Sequence, residues 1–195
     1  MIGIGALVAL HWLAFFEAIK VSNVSVCLAT ISITPLFSAF LEPLFYRKRL
    51  VTHEIVLGLV VIAGVITIFS FETEYVLGIA LAVIAAFLAA LFTVLNSLMI
   101  KHHKATVIST WEMLGGALTV LGFIALSPEH SFQEVYRFAG YDALYIGVLA
   151  IVCTAIAFVV SVEVMKSLSP FTVNISISME PIYSIGLALL IFGEE

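Results

Sequence analysis

Apolar residues run through this chain in long blocks that charged residues interrupt only briefly. No Asp, Glu, Lys or Arg falls within 1–16, 21–41, 55–71, 75–100, 113–128 or 143–162, and 167–193 holds one, Glu180. A helix needs about 20 residues to cross about 30 Å of hydrocarbon. Trimmed at Gly, Pro and charged clusters, the blocks predict seven spans: 4–19, 22–46, 54–71, 75–100, 105–127, 141–165 and 170–192. Polar and apolar residues do not alternate as in the strands of an outer-membrane barrel. The expected fold class is therefore all-α, a polytopic transmembrane helical bundle. The first block lacks the basic leader and small-residue cleavage site of a signal peptide, so it is expected to remain as a span.

Composition removes the soluble alternatives. The hydrophobic fraction is 63% and only 11% of residues are charged, against about 25% charged in an ordinary soluble domain. A net charge of −5 leaves no basic patch for nucleic acid. Cys27 and Cys153 both lie inside apolar runs and read as buried packing thiols, not as a disulfide or a metal site. His102 and His103 sit in a basic connection with no spaced carboxylate and read as a solvated turn.

Charge also sets the expected orientation. Arg47, Lys48 and Arg49 follow the second span, Lys101 and Lys104 the fourth, and Lys166 the sixth. With alternating spans these connections share one side and hold six of the 8 basic residues. Positive charge is retained in the cytoplasm, so that side and the Met1 end are expected to face inward, with the cell membrane as the location.

The chain also repeats itself. An offset of 146 pairs residues 17–49 with 163–195 without a gap. Glu17-Ala-Ile-Lys20 meets Glu163-Val-Met-Lys166, Ile31-Ser32 meets Ile177-Ser178, Thr30 meets Ser176, and Pro35 meets Pro181. Five spans separate each segment from its copy, and an odd number reverses direction across the membrane. Inverted repeats of this kind characterise secondary transporters.

These positions together resemble the EamA family of the drug/metabolite transporter superfamily. The similarity lies in the spans with a central proline, Ile33-Thr34-Pro35 and Met179-Glu180-Pro181, each followed by a charged cluster at the helix end. Gly193-Glu194 looks like the family's Gly-Glu at that point, whereas the first half departs from it at Tyr46-Arg-Lys-Arg49. Gly58 and Gly64-Val65 resemble the family's closing helix. The resemblance implies ten helices in two inverted five-helix halves. On that scheme 1–71 is the C-terminal part of the first repeat (three helices), and 72–195 is the second repeat without its last helix (four helices). It also implies transport of small metabolites, such as amino acids or drug-like compounds, often outward.

Polar groups at mid-span are costly and so are candidates for function. Glu180 lies near the middle of the seventh span and directly precedes Pro181, which removes a backbone donor and frees a carbonyl one turn earlier. One reading makes Glu180 a substrate-ammonium or protonation site; the other makes it a carboxyl bonded within the bundle. Thr34 is its repeat mate. His11, Trp12 and Asn174 complete the candidate substrate-binding set, with packing or helix–helix bonding as the alternative for each. Glu42, Glu112 and Glu163 lie near expected cytoplasmic ends and are read as lying at headgroup depth. Gly78, Ala82, Ala86 and Ala90 form a small-residue ladder for close helix approach.

No nucleophile–base set or nucleotide loop appears, so an enzyme is not expected. No cofactor is implied. The expected partners are a small-molecule substrate and the lipid bilayer, with a coupling proton or an exchange substrate supplying energy. A non-transporting membrane scaffold or a receptor-like seven-helix protein is the alternative reading.

Overall fold

In the computed structural model the chain is helical, and no strand occurs among the described residues, which are 1–71, 73–126, 140–180 and 183. The helices are α1 (Ile2–Val21), α2 (Val24–Ile31), α3 (Thr34–Tyr46), α4 (Thr52–Phe71), α5 (Val76–Met99), α6 (Ala105–Leu126), α7 (Asp142–Val164) and α8 (Pro170–Ile177). A short 3-10 turn, Thr73–Tyr75, leads into α5. Five stretches among the described residues are long and apolar enough to cross a membrane: α1, α2 with α3 (Val24–Tyr46), α5, α6 and α7. They match five of the expected spans. The third expected span is α4, helical over 20 residues. The seventh begins as α8, and most of its remainder lies outside the described residues, as does the surface helix expected around 132–138.

Local chemistry explains the boundaries. The Asn23 side chain accepts from Val26 N at 2.8 Å and starts α2. The Ser169 hydroxyl accepts from Thr172 N at 3.2 Å and starts α8, with Pro170 in the first turn, where a missing N–H costs nothing. These two caps are 146 residues apart, so the repeat seen in the sequence extends to the hydrogen bonds that begin its helices. Arg47 closes α3 in the left-handed region at φ 52°, and Lys48 N then bonds to Pro43 O at 3.0 Å. In α7 the middle stretch Leu149–Ile156 is π-helical, and Thr154 Oγ1 bonds to Leu149 O five residues back at 2.9 Å.

The chain forms two compact units: Met1–Ala9 with Asn96–Ser167, and Leu10–Leu95 with Leu168–Glu195. In the second, the small-residue ladder works as expected. Gly78, Ala82, Ala86 and Ala90 are all buried. A Cβ on Gly78 would run into the Ser22 side chain and the Ala18 carbonyl, so α1 and α5 approach at backbone distance. Ala18, Cys27 and Ala82 form the buried centre there, flanked by Phe15, Ile19 and Leu81. Farther along, α3 packs on α4 and on α8.

In the first unit the start of α1 lies against α6. A Cβ on Gly5 would overlap the Glu112 carbonyl, and one on Gly115 would overlap the Ile2 carbonyl. The last part of α7 packs on α6 as well. Leu149, Ile151, Val152 and Ile156 of α7 are exposed, as is Cys153. Lipid tails are as apolar as leucine, so this exposure carries no hydrophobic penalty in a bilayer. The expectation of two buried thiols therefore holds for Cys27 and fails for Cys153, because an apolar run does not say which face turns outward.

Gly5→Ala and Gly115→Ala are expected to destabilise the detergent-solubilised protein by about 1–3 kcal/mol, because the methyl group meets backbone that cannot move aside. Gly3→Ala, where the added atom meets open space, is expected to be neutral. Thermal unfolding of the three variants beside the parent checks this; equal melting of G3A and G5A would refute the close contact.

Candidate functional site

Both spans with a central proline are broken at the same repeat position. α2 stops at Ile31 and α3 begins at Thr34; α8 stops at Ile177 and Glu180 is again helical. The intervening turns carry matching tight bonds, Ile33 N to Thr30 O at 3.2 Å and Met179 N to Ser176 O at 3.3 Å. Matching hydroxyls bond back within each helix, Ser32 Oγ to Leu28 O at 3.0 Å and Ser178 Oγ to Asn174 O at 2.9 Å. The cause is covalent: Pro35 and Pro181 have no N–H to give to the carbonyl four residues earlier. In the first copy Thr34 Oγ1 takes over that task and donates to Ile31 O at 2.6 Å.

The two broken spans meet each other. Ser178 Oγ, its hydrogen directed mainly to Asn174 O, also lies 3.3 Å from Ser32 O; Asn174 Nδ2 donates to Ser38 Oγ at 2.6 Å, and Phe171 N to Glu42 Oε2 at 3.4 Å. As the partners descend along α8 from 178 to 171, they ascend along α3 from 32 to 42. The helices are therefore antiparallel, as an inverted repeat requires. Ser32 and Ser178, mates at the sequence offset of 146, are in direct contact.

A buried polar seam follows from this meeting. Ser38 Oγ donates to Thr34 O at 3.2 Å while accepting from Asn174, and Asn174 Oδ1 lies 3.4 Å from Thr93 Oγ1 of α5, whose one hydrogen goes mainly to Ala89 O at 2.7 Å. Thr34, Ser38, Thr93 and Asn174 are all buried. Two of the candidate site residues, Thr34 and Asn174, are thus joined through Ser38.

His11 and Trp12 lie elsewhere, in an aromatic cluster. The His11 ring is edge-on to Phe92 at 5.5 Å and stacked near Phe15 at 6.2 Å; Trp12 is 5.4 Å from Phe16. His11 Nδ1 is 2.8 Å from the Ala85 carbonyl, which can only accept, so this nitrogen carries the hydrogen and ties α1 to α5. Both residues are half-buried. Glu180 is exposed and has no polar partner among the described residues.

Of the three glutamates expected at headgroup depth, only Glu163 is open, half exposed and paired with Lys166 as Glu17 is with Lys20. Glu42 and Glu112 are instead enclosed by protein. Lys48 Nζ is 3.8 Å from Glu42 Oε1, and Phe171 N reaches the other oxygen. Hydropathy registers the cost of such a group but not the partner that meets it. Ser38 and Thr93 were also missed; the signal available for Ser38 was its position one turn after Thr34 on the same face.

Asn174→Leu is expected to cost about 1–2 kcal/mol, because it strands Ser38 and Thr93 in a buried interface. Ser176→Ala, on the exposed side of α8, is expected to change stability little. Reversible unfolding in detergent measures both, and equal stability of N174L and S176A would dissolve the seam as a structural unit.

The model of the EamA-like transporter family matches residues 76–195. No curated protein matches the chain, and no solved structure matches it.

Proposed function

The chain belongs to the EamA-like transporter family, membrane transporters of the drug/metabolite superfamily, and we propose that it exports small metabolites, such as amino acids or drug-like compounds, by alternating access without ATP hydrolysis. On this reading 1–71 belongs to a first five-helix repeat and 72–195 to a second. The protein lies in the cell membrane with the Arg47–Arg49 side inward.

The observation that carries the proposal is the meeting of two helices broken at equivalent positions, antiparallel and in contact at Ser32 and Ser178. Transporters of this architecture bind substrate near the midplane, where broken helices offer free backbone groups and side chains. The two breaks differ chemically. Thr34 answers the carbonyl that Pro35 frees. At the mate position Glu180 stands before Pro181, and an ionised carboxylate has no hydrogen to give to the Ile177 carbonyl. A carboxylate beside a carbonyl with no i+4 donor forms an acceptor pair suited to an ammonium group. This supports Glu180 as the substrate-ammonium residue, with Thr34, Asn174, His11 and Trp12 as lining residues around the path.

Cells loaded with a radiolabelled amino-acid mixture and expressing the full-length protein are expected to show saturable efflux. Glu180→Gln is expected to lower that efflux about tenfold or more, equivalent to about 1.4 kcal/mol of lost recognition. Thr34→Val is expected to retain most of it. Unchanged efflux in E180Q would remove the carboxylate from recognition, and absence of any saturable flux would remove the transport proposal for this substrate class.

Alternating access also requires the broken spans to move against each other. In a Cys153→Ser background, joining Ser32→Cys to Ser178→Cys with a short thiol cross-linker is expected to stop efflux, and cleaving the linker to restore it. Full efflux from the cross-linked protein would show that this contact does not move.

A further inference from the structure

Among the described residues, the unit of Met1–Ala9 with Asn96–Ser167 buries the polar side chains of Asn96, Ser97, Ser109 and Glu112, which the proposed substrate path does not use. Glu112 on α6 and Asn96 on α5 are both fully buried, and Asn96 Nδ2 donates to Glu112 Oε2 at 3.0 Å. Among the described residues, Glu112 Oε1, Asn96 Oδ1 and Ser109 Oγ have no hydrogen-bond partner. Unpartnered buried polar atoms are rare and ask for an explanation.

An ionised Glu112 fits this environment poorly. A buried carboxylate is tolerated when a cation and several donors surround it. The rest of α5 and α6 has no charged residue. On α7, Glu163 is engaged by Lys166, and Asp142 lies at the opposite end of that helix. Lys101, His102, His103 and Lys104, in the turn before α6, are all exposed. From α1, residues 1–16 bring no Asp, Glu, Lys or Arg. Among the described residues one amide N–H is the donor that reaches the carboxyl, and the leftover Glu112 Oε1 and Asn96 Oδ1 belong to the two groups already bonded.

A single proton resolves two of the three unpartnered atoms. Placed on Glu112 Oε1, it turns that atom into a donor able to reach Asn96 Oδ1 and closes a reciprocal acid–amide pair, each group donating once and accepting once. When the proton leaves for water, the carboxylate keeps its bond from Asn96 Nδ2.

We propose that Glu112 is a proton-binding site, with the proton shared between its Oε1 and the Asn96 amide oxygen, and that this proton is exchanged for substrate. The first part stands on the cluster alone; the exchange rests on the transporter reading.

The test uses full-length protein in liposomes. Infrared spectra are expected to contain a protonated-carboxyl C=O band that shifts in D2O, disappears in Glu112→Gln and changes frequency in Asn96→Leu. The glutamine amide can re-form the reciprocal pair, so E112Q is expected to fold as well as the parent. No band lost in E112Q, or a band removed by adding sodium at constant pH, would overturn the proton site in favour of a buried water or a metal ion. Efflux of the labelled amino-acid mixture is then compared with and without an inward proton gradient. The parent is expected to respond several-fold and E112Q not at all. A parent indifferent to the gradient, with the band present, would overturn the exchange while leaving the site. A parent with no efflux at all would count against the transport proposal, and the spectrum would still decide the site.

Discussion

Hydrocarbon supplies no hydrogen-bond partner, so a polar group freed inside a span has to be answered by the protein itself. Much of this structure is the consequence. Pro35 frees the Ile31 carbonyl, and Thr34 answers it. Hydroxyls along the spans turn back onto their own helices: Ser22 onto Ala18, Thr30 onto Val26, Thr93 onto Ala89, Thr119 onto Gly115. Asparagine, which cannot be silenced that way, ends up between helices, Asn174 on Ser38 and Asn96 on Glu112. The same demand that makes helices the only economical backbone here also decides where each polar side chain goes.

What the sequence made legible follows from that demand. Span positions are a matter of length and charge, and they were readable. The repeat was readable because its caps, ion pairs and prolines are discrete residue types at fixed spacing, and Asn23/Ser169 and Glu17/Glu163 behave as mates in three dimensions. The Gly78–Ala90 ladder was readable because small side chains leave few alternatives to close packing. Partner choice between distant residues was not. Nothing along the chain says that Asn174 will meet Ser38, 136 positions away, or that Glu112 will be enclosed and not wetted. The π-helical stretch of α7 left no trace in an apolar run that suits an ordinary helix equally well. The exposure of Cys153 was hidden for the same reason, since every face of that helix is apolar.

Two kinds of polar interior coexist. The seam of Thr34, Ser38, Thr93 and Asn174 leaves no buried polar side-chain atom unpartnered among the described residues, and it links α3, α8 and α5 in this arrangement. Glu112 with Asn96 and Ser109, within the other unit, is short of donors. Saturated networks favour one arrangement; a network one hydrogen short has two occupancy states built into it. Glu180 is a third case, an acceptor placed where its repeat mate is a donor. On the proposed readings, joints that hold and joints that bind a proton or a ligand are made from the same few residue types, distinguished by donor count.

The contact between Ser32 and Ser178 has a further consequence, one of symmetry. If the halves of an inverted pair exchange by alternating access as proposed, swapping them carries this contact onto its counterpart at the same place. Its energy would then be nearly equal in the two opposed conformers and cancel from the equilibrium between them. What it could set is the height of the barrier, hence the tempo of exchange. Any bias toward one side of the membrane would have to come from positions where mates differ, Thr34 against Glu180 foremost. In such a cycle the paired serines would serve as a bearing, and the mismatched pair would set the resting position.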